Sequence, residues 1–280
     1  MRSIIVATLI AAISSLSVYA GSIVNQVYFR AKLDDKIPVE ISIAVDAHHI
    51  AAGYIRYTAV SKTPILLAGR WEEDPLPETG GYYQHLDLLE YDDSGLITGR
   101  LVINLDESAV TKGRFHFSEG FWIHPQKAWD EDLEITDVTM LSDLPDYFDT
   151  TLLDPATRAD IGDHYEYGLF NADNTAWRGG QIELFYNEKG KQVMEVFNTS
   201  PWLDSIANLS NVVQTGESEG AVQFNDVNEC HYSFEARYYK RFVALTTTGG
   251  ADKINKCFKG WQGVEGIYLK TEADPGPDEE

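Results

Sequence analysis

Gln181-Ile-Glu-Leu-Phe-Tyr-Asn-Glu-Lys-Gly-Lys-Gln-Val-Met-Glu-Val-Phe197 is the stretch on which the fold turns. Gln181 to Tyr186 alternates polar and apolar side chains with the period of two that marks a half-buried strand. Val193 to Phe197 is its partner, reached across Asn187-Glu-Lys-Gly190. Gly190 can supply the left-handed residue that ends a short hairpin loop. A hairpin is the element expected here.

The same grammar recurs outward in both directions. Asp92-Asp-Ser-Gly95 separates Leu86-Asp-Leu-Leu-Glu-Tyr91 from the long strand-like run Leu96 to Leu105. Val39 to Val45 and Arg114 to Ser118 alternate in the same way. Aromatics and glycine-punctuated turns recur every ~8–12 residues, the spacing of a sandwich or barrel. One stretch breaks the pattern: Ser142 to Pro155 is turn-rich and has no strand period. The expected architecture is mainly β: two small antiparallel β-barrel or sandwich domains, at 21–140 and 161–270, joined by a partly helical linker at 141–160. Asp154 can cap a short helix with Pro155 in its first turn, and Pro201 to Leu209 is the second expected helix. The acidic, proline-rich segment 271–280 has too little apolar surface to pack and is expected to be disordered.

The first twenty residues read as an export signal. Met1-Arg2 is a short basic start, Ile4 to Ile13 an apolar core, and Val18-Tyr19-Ala20 a small-x-small cleavage site. The apolar run is too short to span a bilayer, which takes ~20 residues, and no other stretch approaches that length. A secreted or periplasmic location is therefore expected, with oxidising conditions that favour disulfides. The chain has two cysteines, Cys230 and Cys257. Bridging them closes a loop of about thirty residues, worth roughly 3–4 kcal/mol by loop-closure entropy. Their spacing is not that of a redox Cys-x-x-Cys pair, so a structural staple is expected. Outside such a compartment's bacterial form, Asn198-Thr-Ser200 and Asn208-Leu-Ser210 would fit an N-glycosylation acceptor.

Charge narrows the partners. The 280-residue chain carries 44 acidic against 22 basic side chains, a formal net charge of −22. Acidic residues outnumber basic ones in both halves, which argues against nucleic acid, whose phosphates need clustered Lys and Arg. It argues equally against an anionic membrane surface. A cationic partner is steered favourably by such a field.

No catalytic constellation emerges, and no cofactor is expected. The seven histidines (48, 49, 85, 116, 124, 164 and 231) lack His-Glu-x-x-His spacing. Asp46-Ala-His48-His49 reads as a turn, since adjacent histidines on a strand point to opposite faces. No Gly-x-Ser-x-Gly elbow is present. Glu72, Glu73 and Asp74 beside Trp71 are the residues that could line a sugar site, and Asp130 to Glu134 clusters hard oxygen ligands without EF-hand spacing. Both read more simply as solvated acidic loops. The chain is expected to be a binder, with a glycan-active enzyme the least favoured alternative.

One segment has the composition of a contact. Arg237-Tyr238-Tyr239-Lys240-Arg241 concentrates cations and tyrosines, residues enriched in interface hot spots. It is expected at the tip of a hairpin between the cysteines, exposed to a partner.

Tyr165-Glu-Tyr167, Gly180-Gln-Ile-Glu-Leu184, Ile206-Ala-Asn-Leu209, Ala221-Val-Gln-Phe224, Cys230-His-Tyr-Ser-Phe234 and Cys257-Phe258 with Gly266-Ile-Tyr268 follow one another in order. In this succession the segment 160–270 resembles the small lysozyme-inhibitor-like β-barrel domain of exported bacterial proteins. Gly53-Tyr-Ile-Arg-Tyr57, Pro64 to Gly69, Leu88 to Tyr91 and Thr98-Gly99 resemble a second exported module that accompanies such barrels, with Gly113-Arg-Phe115 standing where Gly-x-Trp is the pattern. The resemblance implies a non-catalytic role in the bacterial envelope. Its sharper form is inhibition of a lysozyme or another cell-wall glycosidase, by a barrel whose partner is a basic protein; an envelope glycan is the other implied ligand.

Overall fold

The computed structural model describes residues 23–60, 63–75, 82–105, 115–124, 132–170, 176–200, 205–227, 231–250 and 263–271. The export signal, the acidic segment beyond 271 and both cysteines, Cys230 and Cys257, lie outside the described residues. So do Asp130 and Glu131 of the acidic cluster.

Eight strands form the first unit: β1 (Asn25–Leu33), β2 (Ile37–Val45), β3 (Ile50–Tyr57), β4 (Ile65–Pro75), β5 (Tyr82–Tyr91), β6 (Ile97–Leu105), β7 (Phe117–Ile123) and β8 (Leu133–Met140). Each pairs antiparallel with the next, and β8 returns to β1, with Phe29 opposite Met140 and Leu33 opposite Ile135. The result is a closed barrel, which removes every free sheet edge. Alternation decides what fills it. Val27, Phe29, Ala31 and Leu33 of β1 point inward, as do Leu86, Leu88, Leu101 and Ile103. The Asp92-to-Gly95 turn forms as expected, with Gly95 at φ +84°.

The second unit has nine strands: β9 (His164–Phe170), β10 (Ala176–Tyr186), β11 (Gln192–Ser200), β12 (Ser205–Val213), β13 (Gly216–Ser218), β14 (Ala221–Val227), β15 (Tyr232–Tyr238), β16 (Phe242–Gly249) and β17 (Gly266–Lys270). Their order is β12-β11-β10-β9-β17-β16-β15-β14-β13. The hairpin read from Gln181 to Phe197 is β10–β11, with Gly190 at φ +70°. The sheet curls until its ends are joined by one continuous segment. The Gln214 amide still donates to Gln192 of β11, while the next amide, of Thr215, donates to Gln223 of β14.

The two units share a core. Ala44, Ala52, Tyr54, Leu66 and Tyr91, all from the barrel's outer face, join one apolar cluster with Tyr165, Tyr238, Tyr239, Phe242 and Tyr268 of the curled sheet. Polar contacts run through the same seam. Arg70 donates to the Leu245 carbonyl at 2.9 Å and to the Thr246 hydroxyl at 2.8 Å. The Tyr91 hydroxyl donates to the Ile267 carbonyl at 3.1 Å.

The linker departs from expectation. No helix occurs between 141 and 160. Asp149 accepts from both the amide and the hydroxyl of Thr151, and Asp160 does the same for Thr157. Such side-chain bonds compete with helical ones and favour turns. Phe148, Leu152 and Leu153 anchor the segment in the shared core, and the Ala156 amide donates to the Tyr238 carbonyl. The second expected helix is also corrected: Ser205 to Val213 is β12, held by its ladder to β11. Ile206 and Leu209 fit one helical turn as well as a strand, and only the distant partner decides. The strand expected from Arg114 begins instead at Phe117, while Phe115 is buried with its amide bonded to Gln26.

Candidate partner-binding face

Parity along β10 and β11 sorts their side chains onto two faces. Ile182, Leu184, Met194 and Val196 enter the core, so Gln181, Glu183, Phe185, Glu195 and Phe197 face outward. The strand register sets them in rows. Gln181 lies opposite Phe197, which lies opposite Asn208 of β12. Glu183 lies directly opposite Glu195, and Phe185 opposite Val193 and then Val213. Two rows that are partly apolar therefore bracket a row with two carboxylates.

Three features set this face apart. Phe185, Phe197 and Val213 are 44%, 43% and 42% exposed, and these are the two exposed phenylalanines among the described residues. Among the described residues Glu183 and Glu195 form no ion pair, and Glu183 accepts from the Gln181 amide at 3.3 Å. Like charges directly opposite on a sheet are destabilising. Finally, Glu183, Glu195, Phe197, Asn208 and Ser210 line a shallow depression of about 120 Å³. Sequence reading placed β10 and β11, took part of β12 for a helix, and singled out none of these side chains. The signal was present: Phe185 and Phe197 occupy the phase that Gln181, Glu183 and Glu195 mark as the outward one.

The segment Arg237–Arg241 forms the end of β15 and the turn to β16, a hairpin as the sequence put it, but it is not an exposed contact. Arg237, Tyr238 and Tyr239 are buried. Arg237 donates to the Glu219 carbonyl at 2.6 Å and Tyr238 to the Gln192 side chain at 2.8 Å. Tyr239 donates to Asp46 of the first barrel at 2.6 Å. Burial pushes the Tyr238 and Tyr239 hydroxyls well above the ordinary tyrosine range, and the Asp46 charge raises Tyr239 further. Three of the five residues expected to meet a partner are instead buried: Arg237 and Tyr238 bond within the curled sheet, and Tyr239 ties it to the barrel. Lys240 and Arg241 alone reach solvent, at the rim of a cleft between the units.

The other residues singled out resolve as structure. Asp46 closes the β2–β3 turn by accepting the amides of His48 and Ile50, and His49 adopts φ +62° while stacking on Trp71. Glu72 faces His85 across β4–β5 at 3.5 Å, and the same row continues through Asn104 to Glu119. Glu73 accepts from Gln84. Trp71 packs on Phe115 rather than presenting a sugar platform. Among the described residues no group of three or more His, Cys, Asp or Glu is arranged to hold a metal, and no helix is long and apolar enough to cross a membrane. Asn198 is fully buried, bonded to the Tyr167 hydroxyl and the Gly263 carbonyl, so it is not a glycan acceptor.

No family model, curated protein or solved structure matches the chain. The fold is that of a mainly β protein with an acidic, partly aromatic outer face on β10–β12.

Proposed function

We propose that the protein is a non-catalytic binding protein of the bacterial envelope, and that it holds a basic protein against the outer face of β10–β12. The observation that carries this reading is the opposed pair Glu183 and Glu195, without a cation partner among the described residues and flanked by exposed Phe185, Phe197 and Val213. A Lys or Arg from a partner would neutralise the pair, and the aromatic flanks would exclude water around it, as aromatic residues do at interface cores. The net charge of −22 favours the approach of a basic partner and raises its association rate.

A lysozyme is the partner class this reading favours, since the face is built on Gly180-Gln-Ile-Glu-Leu184 and Ile206-Ala-Asn-Leu209, two of the segments that carry the resemblance to lysozyme-inhibitor-like domains. The test is titration of the full mature chain into several basic lysozymes, with calorimetry and cell-wall lysis as readouts. Saturable binding, with lysis slowed at near-stoichiometric ratios, is expected for at least one. Phe197→Ala should weaken that complex about tenfold or more, the ~1.4 kcal/mol of a modest interface anchor. Absence of binding to every lysozyme rejects the partner class; equal binding by Phe197→Ala rejects the face.

A further inference from the structure

A cleft of about 230 Å³ opens where the two units meet, lined by Asp93 of the β5–β6 turn and by Lys240, Arg241, Leu269, Lys270 and Thr271 of the curled sheet. Three of the chain's 22 basic residues converge there, in a protein that carries twice as many acidic ones. Several cations elsewhere are neutralised at close range: Arg30 and Arg56 by Glu40, Lys32 by Asp137, and Arg100 by Asp87. In the cleft three cations converge with no close carboxylate partner among the described residues. Lys240 has one carboxylate, Asp149, at the long distance of 3.9 Å. Lys270 donates to the uncharged backbone carbonyl of Asp160 at 2.7 Å. Arg241 has no carboxylate within ion-pair distance among the described residues, and its guanidinium lies near the Tyr54 hydroxyl, whose proton release burial opposes and Arg241 favours. The Thr271 hydroxyl, in the same wall, is buried without a hydrogen-bond partner among the described residues.

An acidic molecule that gathers under-neutralised cations in one concave place has the electrostatics of an anion site. We propose that this cleft binds a small, soluble phosphate-bearing molecule. Lysine ammonium groups serve phosphate as point charges, and an arginine fork can engage two of its oxygens. A hydroxyl donor completes such a cradle. The volume corresponds to on the order of seven waters at their ~30 Å³ share of the liquid, enough for one or two phosphate groups. A large polyanion is disfavoured as the ligand, because its charges beyond the cleft would lie against the surface of a protein with net charge −22.

The site shares no residue with the β10–β12 face, so the two proposals fail separately. The test is calorimetric titration of the full mature chain with inorganic phosphate and with pyrophosphate at low, matched ionic strength. Saturable binding is expected, tighter for pyrophosphate. Lys240→Met with Lys270→Met keeps the aliphatic stems, including that of Lys270 against Gly162, and should weaken binding at least tenfold. Lys240→Arg with Lys270→Arg keeps the charge and should retain binding, which separates lost charge from lost fold. Two results overturn the proposal: no saturable binding of either anion by the wild type, or unchanged binding by the methionine variant.

Discussion

Tyr239 carries its meaning in a single bond. Its hydroxyl reaches Asp46 Oδ2 across the seam, while Oδ1 is already engaged by the His48 and Ile50 amides. Tyr239→Phe therefore leaves a buried carboxylate oxygen short of its donor. A hydrogen bond to a charged group contributes ~1.5–3 kcal/mol, and urea denaturation of the variant should show a loss of that order. An unchanged midpoint would mean that water replaces the phenol at no cost. The sequence told that Tyr239 belongs to a hairpin tip, and tips are ordinarily wet. It could not tell that a turn from another domain, Asp46 to His49, covers this one, because nothing local to Tyr239 encodes a contact so far away in the chain. Gly99 is a second residue of this kind. A β-carbon there would overlap the Trp122 indole, which donates to the buried Glu90 at 3.1 Å. Gly99→Ala is expected to cost ~1–3 kcal/mol through overpacking, read from the same denaturation curves.

At the scale of elements, Glu40 ties four segments together. Lying on β2, it accepts from Arg30 of β1 at 2.9 Å, from Arg56 of β3, and from Tyr147 of the linker at 3.5 Å. The Arg56 guanidinium also sits 4.7 Å above the Tyr147 ring. Burial pushes the Glu40 carboxyl up, but bonds and charge from Arg30 and Arg56 more than offset it and hold the pKa below the ordinary glutamate value. A carboxylate depressed by folding contributes stability that is complete above its unfolded pKa, ~4.3. That contribution falls away as the pH drops toward the folded value. Acid unfolding should therefore steepen below about pH 4.3, and Glu40→Gln should flatten the pH dependence there while lowering stability at neutral pH. A Glu40→Gln curve parallel to the wild type would contradict this. Turn chemistry made the hairpins legible, through Gly95 and Gly190. The linker and β12 were not legible by the same means: Asp154-Pro155 and Ile206 to Leu209 satisfy local helix signals, and the contacts that override them come from Tyr238 and from β11.

The whole molecule is one packed body with two sheets. Residues 160–270 look separable in sequence, yet Tyr239, Phe242 and Tyr268 share their core with Tyr54, Leu66 and Tyr91 of the barrel. The segment expressed alone should bind a hydrophobic dye and lose near-ultraviolet dichroism, where the full chain does neither; a native-like spectrum from the fragment would show the seam to be dispensable. Charge, β-content and two sheets could be read from residues alone. The proposed contact face could not, because it exists only once β10, β11 and β12 are in register and Glu195 comes to rest opposite Glu183. That placement permits a paired measurement on Glu195→Gln: thermal stability of the full chain and its affinity for a lysozyme the wild type binds. If the opposed carboxylates serve binding, removing one charge relieves repulsion worth ~0.2–1 kcal/mol, so stability rises while affinity falls. Unchanged affinity, or a stability that falls with the substitution, would contradict the assignment of this face.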